Sequence, residues 1–312
     1  MRDPLKPPAL KPGSRIAVVS PASSAEPESL SRGCEELARL GYAPGRKPLS
    51  RRADGYFAAP TGDRRAELLE ALRDENVQAV FCARGGYGAN YLLEGLDTRV
   101  LQRPRILLGH SDITSLEIFL WQKLGWVTFY GPMVAAGFDG VADAAGGYDS
   151  ESFARGVTQT RGGWRLDLRG ETLVAGEAEG TLLGGCLTLV EATLGTPWEL
   201  DTAGSILLLE DRAVKPYQLD RMLMHLKQAG KLAGVRGVIL GEFPESAPPA
   251  GSQVTVRDVC QRILGELGVP VVWGAPIGHT PRAMLTVPLG VRARLRGSGP
   301  GQLDILEPAV TP

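Results

Sequence analysis

Apolar residues along this 312-residue chain recur with two different periods, and the switches between them predict its elements. Residues 16–19 are a short apolar run ending at Ser20 and Pro21, the pattern of a buried strand. Leu30, Cys34, Leu37 and Ala38 follow at helical spacing as far as Gly41, and Leu68, Leu69 and Leu72 mark one side of a second helix over residues 64–74. Residues 77–83 and 105–108 read as further strands. Ile113, Leu116 and Leu120 then trace a helix up to Gly125, and an extended pattern resumes over residues 126–129. Strand and helix in alternation, with strands that are mostly apolar, predict an α/β fold: a Rossmann-like parallel sheet covered on both faces.

The texture changes near residue 137, where FDGVADAAGGYDSESFARG is small, polar and turn-rich. The expected division is an N-terminal domain over residues 1–145, a linker over 146–168 and a smaller C-terminal domain over 169–312. The second domain opens with short segments separated by glycine turns, which predicts antiparallel or barrel-like sheet. Residues 205–209, 235–240 and 269–273 are strand candidates. Leu219, Met222, Leu223 and Leu226 mark one helix face, and another helix is expected over about residues 256–267.

Composition narrows the function classes. With 34 basic and 35 acidic residues, the formal net charge of -1 offers no general attraction to a nucleic-acid backbone. The N-terminal stretch MRDPLKPPALKPGSR lacks an apolar signal segment, and no run spans a membrane, so a cytoplasmic protein with no membrane partner is expected. Cys34, Cys82, Cys186 and Cys260 are widely spaced and read as small buried hydrophobes. Three histidines argue against a histidine-rich metal centre, so no metal is expected.

Two turns carry candidate chemistry, each at the carboxyl end of a predicted strand, where open α/β sheets present reacting groups. CARGGYGAN, residues 82–90, lets main-chain N–H groups approach an anion, yet it lacks the third glycine of a dinucleotide fingerprint, so no nucleotide cofactor is expected. A plain tight turn explains it equally well. LLGHSDITSL, residues 107–116, puts Ser111 between strand and helix, like a nucleophile elbow, except that Ile113 stands where the elbow pattern has glycine. Ser111 as a helix cap and Asp112 as a first-turn carboxylate account for the same residues. His110 is excluded as the base for Ser111, because adjacent side chains diverge on extended backbone. That leaves His225, on a helix, and His279, in the loop of WGAPIGHTPRAML. Glu210 and Asp211 close an apolar strand; alternation directs only one of them towards a histidine, and a surface ion pair is the competing use of both.

Taken together, IAVVSPASS, CARGGYGANYLLEGLD, LLGHSDITSL, FYGPM, LLLEDRAVKPYQLDRML, GVILGEF and GAPIGHTPRAMLTVPLG resemble, in the same order, the LD-carboxypeptidase family. That family includes muramoyltetrapeptide carboxypeptidases and microcin C immunity peptidases. The resemblance implies a serine, glutamate and histidine triad of Ser111, Glu210 and His279, with the N–H groups of Gly86 and Asp112 forming the oxyanion hole. It implies a Rossmann-like nucleophile domain joined to a domain supplying the other two residues. The implied activity is hydrolysis of an L-to-D peptide bond, releasing terminal D-alanine from murein tetrapeptides by a homodimer that needs no cofactor. Arg84, Tyr87, Trp198, Tyr217 and Arg282 are candidates for holding the peptide or muropeptide substrate. The Arg-Ala-Val-Lys stretch after Asp211 and residues 281–284 depart from the tetrapeptide enzymes. They keep open a peptidyl or aminoacyl nucleotide as substrate; a non-enzymatic ligand-binding protein, with GGYG holding an anion and Ser111 only capping a helix, is the separate alternative.

Overall fold

Strands that are apolar along their whole length need cover on both faces, and the fold supplies it. The structure, a computed structural model, describes residues 3–46 and 54–312. The first half runs β1 (Arg15–Val19), α1 (Pro27–Arg39), β2 (Ala43–Arg46), α2 (Thr61–Arg73), β3 (Ala79–Cys82), β4 (Ile106–Gly109), α3 (Thr114–Leu124) and β5 (Thr128–Tyr130). The chain continues with α4 (Ser150–Thr158), β6 (Trp164–Asp167), β7 (Glu171–Val174), β8 (Gly176–Cys186), α5 (Leu187–Ala192), β9 (Ser205–Glu210) and α6 (Pro216–Gln228). It closes with β10 (Gly237–Gly241), α7 (Val256–Leu264), β11 (Val271–Ala275), β12 (Val287–Leu289), β13 (Arg292–Gly297) and β14 (Gln302–Ile305).

The first sheet has the order β12-β5-β4-β3-β1-β2, parallel except for β12. Every residue of β3, β4 and β5 is buried, as the uninterrupted apolar sequences of β3 and β4 require. β12 comes from the far end of the chain and pairs antiparallel to β5, with Val287 opposite Tyr130. Its sequence, Val-Pro-Leu, gives no strand signal because proline lacks the ladder donor; at a sheet edge that donor is dispensable.

The second sheet is open and mixed, in the order β6-β14-β13-β8-β9-β10-β11-β7. β8 to β11 are parallel to one another, while β7, β13, β14 and β6 add antiparallel pairs. The expected barrel-like sheet is an open one with antiparallel pairs at its flanks, and not a closed barrel. The segment 146–168 contains α4 and β6, and Phe153 of α4 is buried against Phe81 and Phe138. One apolar core runs through both sheets, joining Phe81 and Phe129 to Leu182, Ile206 and Val272. That shared core fixes the carboxyl ends of β4 and β5 against that of β9. All four cysteines are buried as free thiols, and among the described residues no helix is long and apolar enough to cross a membrane.

Candidate active site

β4 ends at Gly109, and two residues later the backbone of Ser111 turns to φ 63°. A left-handed conformation costs an L-residue roughly 1–2 kcal/mol and persists only where surrounding structure imposes it. Ser111 starts a single 3-10 turn, Ser111–Ile113, that leads into α3, while Ile113 occupies the N-cap of that helix. The strained turn is held by its neighbours: Ser111 N–H donates to the Tyr130 hydroxyl at 3.2 Å.

The glycine-rich turn lies directly against this serine. A Cβ on Gly85 would fall 3.0 Å from Ser111 Cβ and 3.2 Å from its Oγ, so any side chain there would push the serine turn back by a few tenths of an ångström. Gly86 has φ 105°, and a Cβ there would strike Ser23 Oγ at 2.4 Å. Ser23 braces the turn, its N–H donating to Gly85 O at 3.2 Å and its Oγ accepting from Tyr87 N–H at 3.1 Å. Asp112 ties the two turns together by accepting the Ala89 N–H at 2.7 Å. Burial pushes its carboxyl up to about 6, against the lowering effects of that hydrogen bond and of Arg64.

Glu210 closes β9 with its side chain wholly buried, and it points at the loop carrying His279. Glu210 Oε2 accepts both the main-chain N–H of His279, at 2.8 Å, and its ring Nδ1, at 2.9 Å. An ionised carboxylate only accepts, so Nδ1 carries the proton and Nε2 is left as a base. Oε1 accepts from the Tyr130 hydroxyl at 2.6 Å. Burial alone would raise the Glu210 pKa; the hydrogen bond and charge of His279, with Tyr130, outweigh it and hold the carboxyl below its ordinary value. Burial alone would lower His279, but Glu210 prevails and raises it. Alternation sorts the acidic pair: Asp211 faces the other way and accepts from Thr188 N–H at 2.9 Å and Thr188 Oγ1 at 2.6 Å.

His110 links the two halves of the site. It adjoins Ser111 in the chain, and its ring meets that of His279 edge to face with centroids 5.4 Å apart. Its Nδ1 is bonded to Gly131 O at 2.9 Å, and burial, reinforced by His279, lowers its pKa to about 4. A cleft of about 430 Å³ opens beside the pair, walled by His110, Arg212, Glu245, His279, Thr280 and Met284. Arg212, which pairs with Glu245, was not singled out from sequence, because an arginine one residue beyond an acidic pair looks like any surface charge.

The remaining sequence candidates have varied surroundings. Arg84 donates to Ser24 O at 3.1 Å and is exposed. Tyr87 is exposed in a cluster with Tyr56, Phe57 and Tyr91. Trp198 packs edge to face on Phe119 of α3, and Tyr217 is exposed at the start of α6. Arg282 is held by Glu242 and by the carbonyls of Arg169 and Gly274. His225 bonds Glu191 at 2.6 Å on the outside of α5 and α6.

A strained serine between strand and helix, glycine main chain against it and a carboxylate-bound histidine define a site of the hydrolase kind. The sequence agrees with this class. Residues 16–131 match the LD-carboxypeptidase N-terminal domain and residues 179–295 match the LD-carboxypeptidase C-terminal domain. The chain belongs to the LD-carboxypeptidase family of peptidases. It is 36% identical over 295 residues, 93% of its length and 91% of the other chain's, to the Bacillus subtilis protein named "Probable murein peptide carboxypeptidase". A muramoyltetrapeptide carboxypeptidase from Oxalobacter formigenes superposes with a TM-score of 0.82 at 31% identity, covering 95% of this chain and 99% of that one. The microcin C7 self-immunity protein MccF of Escherichia coli is 28% identical over 88% of this chain and 87% of its own. Its structure in complex with aspartyl sulfamoyl adenosine superposes with a TM-score of 0.89 at 25% identity, covering 99% of this chain and 100% of that one.

Proposed function

We propose that this protein is a cytoplasmic serine carboxypeptidase that hydrolyses an L-to-D peptide bond and releases terminal D-alanine from murein tetrapeptides. The observation that carries the reading is the Glu210 carboxylate holding His279 by Nδ1 and joined through the Tyr130 hydroxyl to the main chain of Ser111, itself kept at φ 63°. Residues 1–145 contribute the nucleophile and residues 169–312 the glutamate and histidine, with 146–168 joining them. In this reading His279 Nε2 takes the hydroxyl proton as Ser111 Oγ attacks the scissile carbonyl, and the Glu210 charge stabilises the imidazolium. The N–H groups of Gly86 and Asp112 receive the oxyanion. The tetrahedral intermediate collapses as His279 protonates the departing D-alanine amine. His279 then draws a proton from water, which attacks the ester and frees Ser111. Arg212, in the wall of the cleft, supplies a cation for the terminal carboxylate of the substrate.

The likeness to MccF keeps a peptidyl nucleotide as a second substrate class. Wild type and Ser111→Ala are incubated with an anhydromuramoyl tetrapeptide, its all-L analogue and a peptidyl nucleotide. Serine-dependent release of D-alanine from the first alone is expected. Cleavage of the nucleotide alone would reassign the substrate, and no cleavage by wild type would favour a ligand-binding protein. The family resemblance leads us to infer a homodimer as well, which light scattering reads as twice the chain mass.

A further inference from the structure

The serine and the glutamate are joined by one oxygen. The Tyr130 hydroxyl accepts from Ser111 N–H at 3.2 Å and lies 2.6 Å from Glu210 Oε1, to which it donates. Tyr130 closes β5 of the first sheet and Glu210 closes β9 of the second, so the bridge spans the two sheets at the site. The ring is fully buried. Burial and the nearby Glu210 charge raise the phenol well above its ordinary pKa, which keeps the proton on the hydroxyl for donation.

We propose that Tyr130 is a positioning residue that holds Ser111 in its left-handed conformation and limits how much of the Glu210 charge reaches His279. The proposal rests on the serine-peptidase reading above. The two oxygens of Glu210 have separate partners, the phenol on Oε1 and the imidazole on Oε2. A hydrogen bond to Oε1 stabilises the carboxylate and weakens its pull on the imidazolium proton. Because Ser111 N–H is bonded to Tyr130, the oxyanion is left to Asp112 and Gly86.

Other charged or titratable groups also surround the pair. His279 meets the His110 ring from the turn after β4 and feels the charges of Asp211, which points away from it, and of Arg212, while Asp139 and Glu245 also line the cleft. Glu117 and Cys186 lie towards Tyr130. All remain in place in the variants that test the bridge.

Tyr130→Phe keeps the ring and removes both hydrogen bonds. The expected kcat falls about 10- to 100-fold with KM little changed. The acidic limb of kcat/KM moves up by about half to one pH unit, since the uncompensated Glu210 charge raises His279. Replacing Tyr130 by 3-fluorotyrosine, a stronger donor of the same shape, moves the limb the opposite way. NMR titration of the His279 ring reads the same two shifts without turnover. It therefore separates failure of this proposal from failure of the peptidase reading, which no cleavage by wild type would signal. Titration midpoints within about 0.2 unit of wild type in both variants, or displaced in the same direction, would overturn the role. Should the phenylalanine variant lose its fold by circular dichroism, the fluorotyrosine titration decides alone.

Discussion

Gly278 is the position where a single methyl group tests how tightly Glu210 is held. Its φ is +70°, and a Cβ built there would lie 2.4 Å from Glu210 Cδ, 2.6 Å from Cγ and 2.7 Å from Oε1. Non-bonded carbons settle at about 3.5–4.0 Å, so Gly278→Ala creates an overlap of roughly 1 Å. Glu210 is wholly buried and held on both oxygens, by the Tyr130 hydroxyl on Oε1 and by His279 on Oε2, so it cannot retreat without breaking those bonds. The left-handed alanine costs about 1–2 kcal/mol, and the forced contact about 1–3 kcal/mol more. Displacing Glu210 by about 1 Å misorients His279 and should lower kcat/KM roughly 100-fold. Gly268→Ala is the matched control: its φ is +68°, with nothing within 4 Å of the added Cβ. It carries the backbone cost alone, about 1–2 kcal/mol, and leaves kcat/KM within about twofold. Urea melts and D-alanine release, measured where both variants are folded, separate the two. Equal losses of kcat/KM in the pair would refute the claim that Gly278 makes room for a catalytic carboxylate.

Glu210→Gln removes the charge that raises His279, so kcat should fall about 10²- to 10⁴-fold and the acidic limb of kcat/KM should move to lower pH; an upward shift would assign that limb to another group. Ser111→Gly should abolish turnover yet stabilise the fold by up to about 1 kcal/mol, because glycine adopts φ 63° without strain; a markedly less stable variant would show that the side chain is structural. Asp112 has a folded pKa of about 6, above its unfolded value of about 3.9, so wild type loses stability as pH rises through that window. Asp112→Asn should therefore match wild type near pH 4 and exceed it by about 2 kcal/mol near pH 8 in thermal melts; inferiority at both would mean the hydrogen bond to Ala89 outweighs burial.

The parallel sheet was readable because its strands need cover on both faces, so residues 79–83 and 106–108 are apolar at every step. Gly109 and Gly125 bracket the serine turn and α3, and the structure ends β4 at the first and α3 just before the second, as the pattern predicts. Alternation in the Glu210–Asp211 pair was readable as a rule, but the direction depended on β8 and α5, which bring Thr188 to Asp211. Tyr130 was invisible: its two polar partners lie 19 and 80 residues away, and FYGPM looks like one more buried strand end. β12 was hidden by its proline, and β2 by its glycine and proline in Ala-Pro-Gly-Arg. Long side chains were the least legible, since flexible stems let Arg282 fold back onto Glu242 and Gly274 while Arg212 reaches the cleft wall.

The central claim is that Ser111 forms the covalent bond. Wild type is mixed with an anhydromuramoyl tetrapeptide, quenched in acid within the first turnovers, digested and mapped by mass spectrometry. The account predicts that the peptide containing Ser111 gains the mass of the substrate less that of free D-alanine, which is the mass of the tripeptide product less one water, and that Ser111→Ala gains nothing. Turnover of the tetrapeptide with the adduct on another residue, or undiminished turnover by Ser111→Ala, would contradict it.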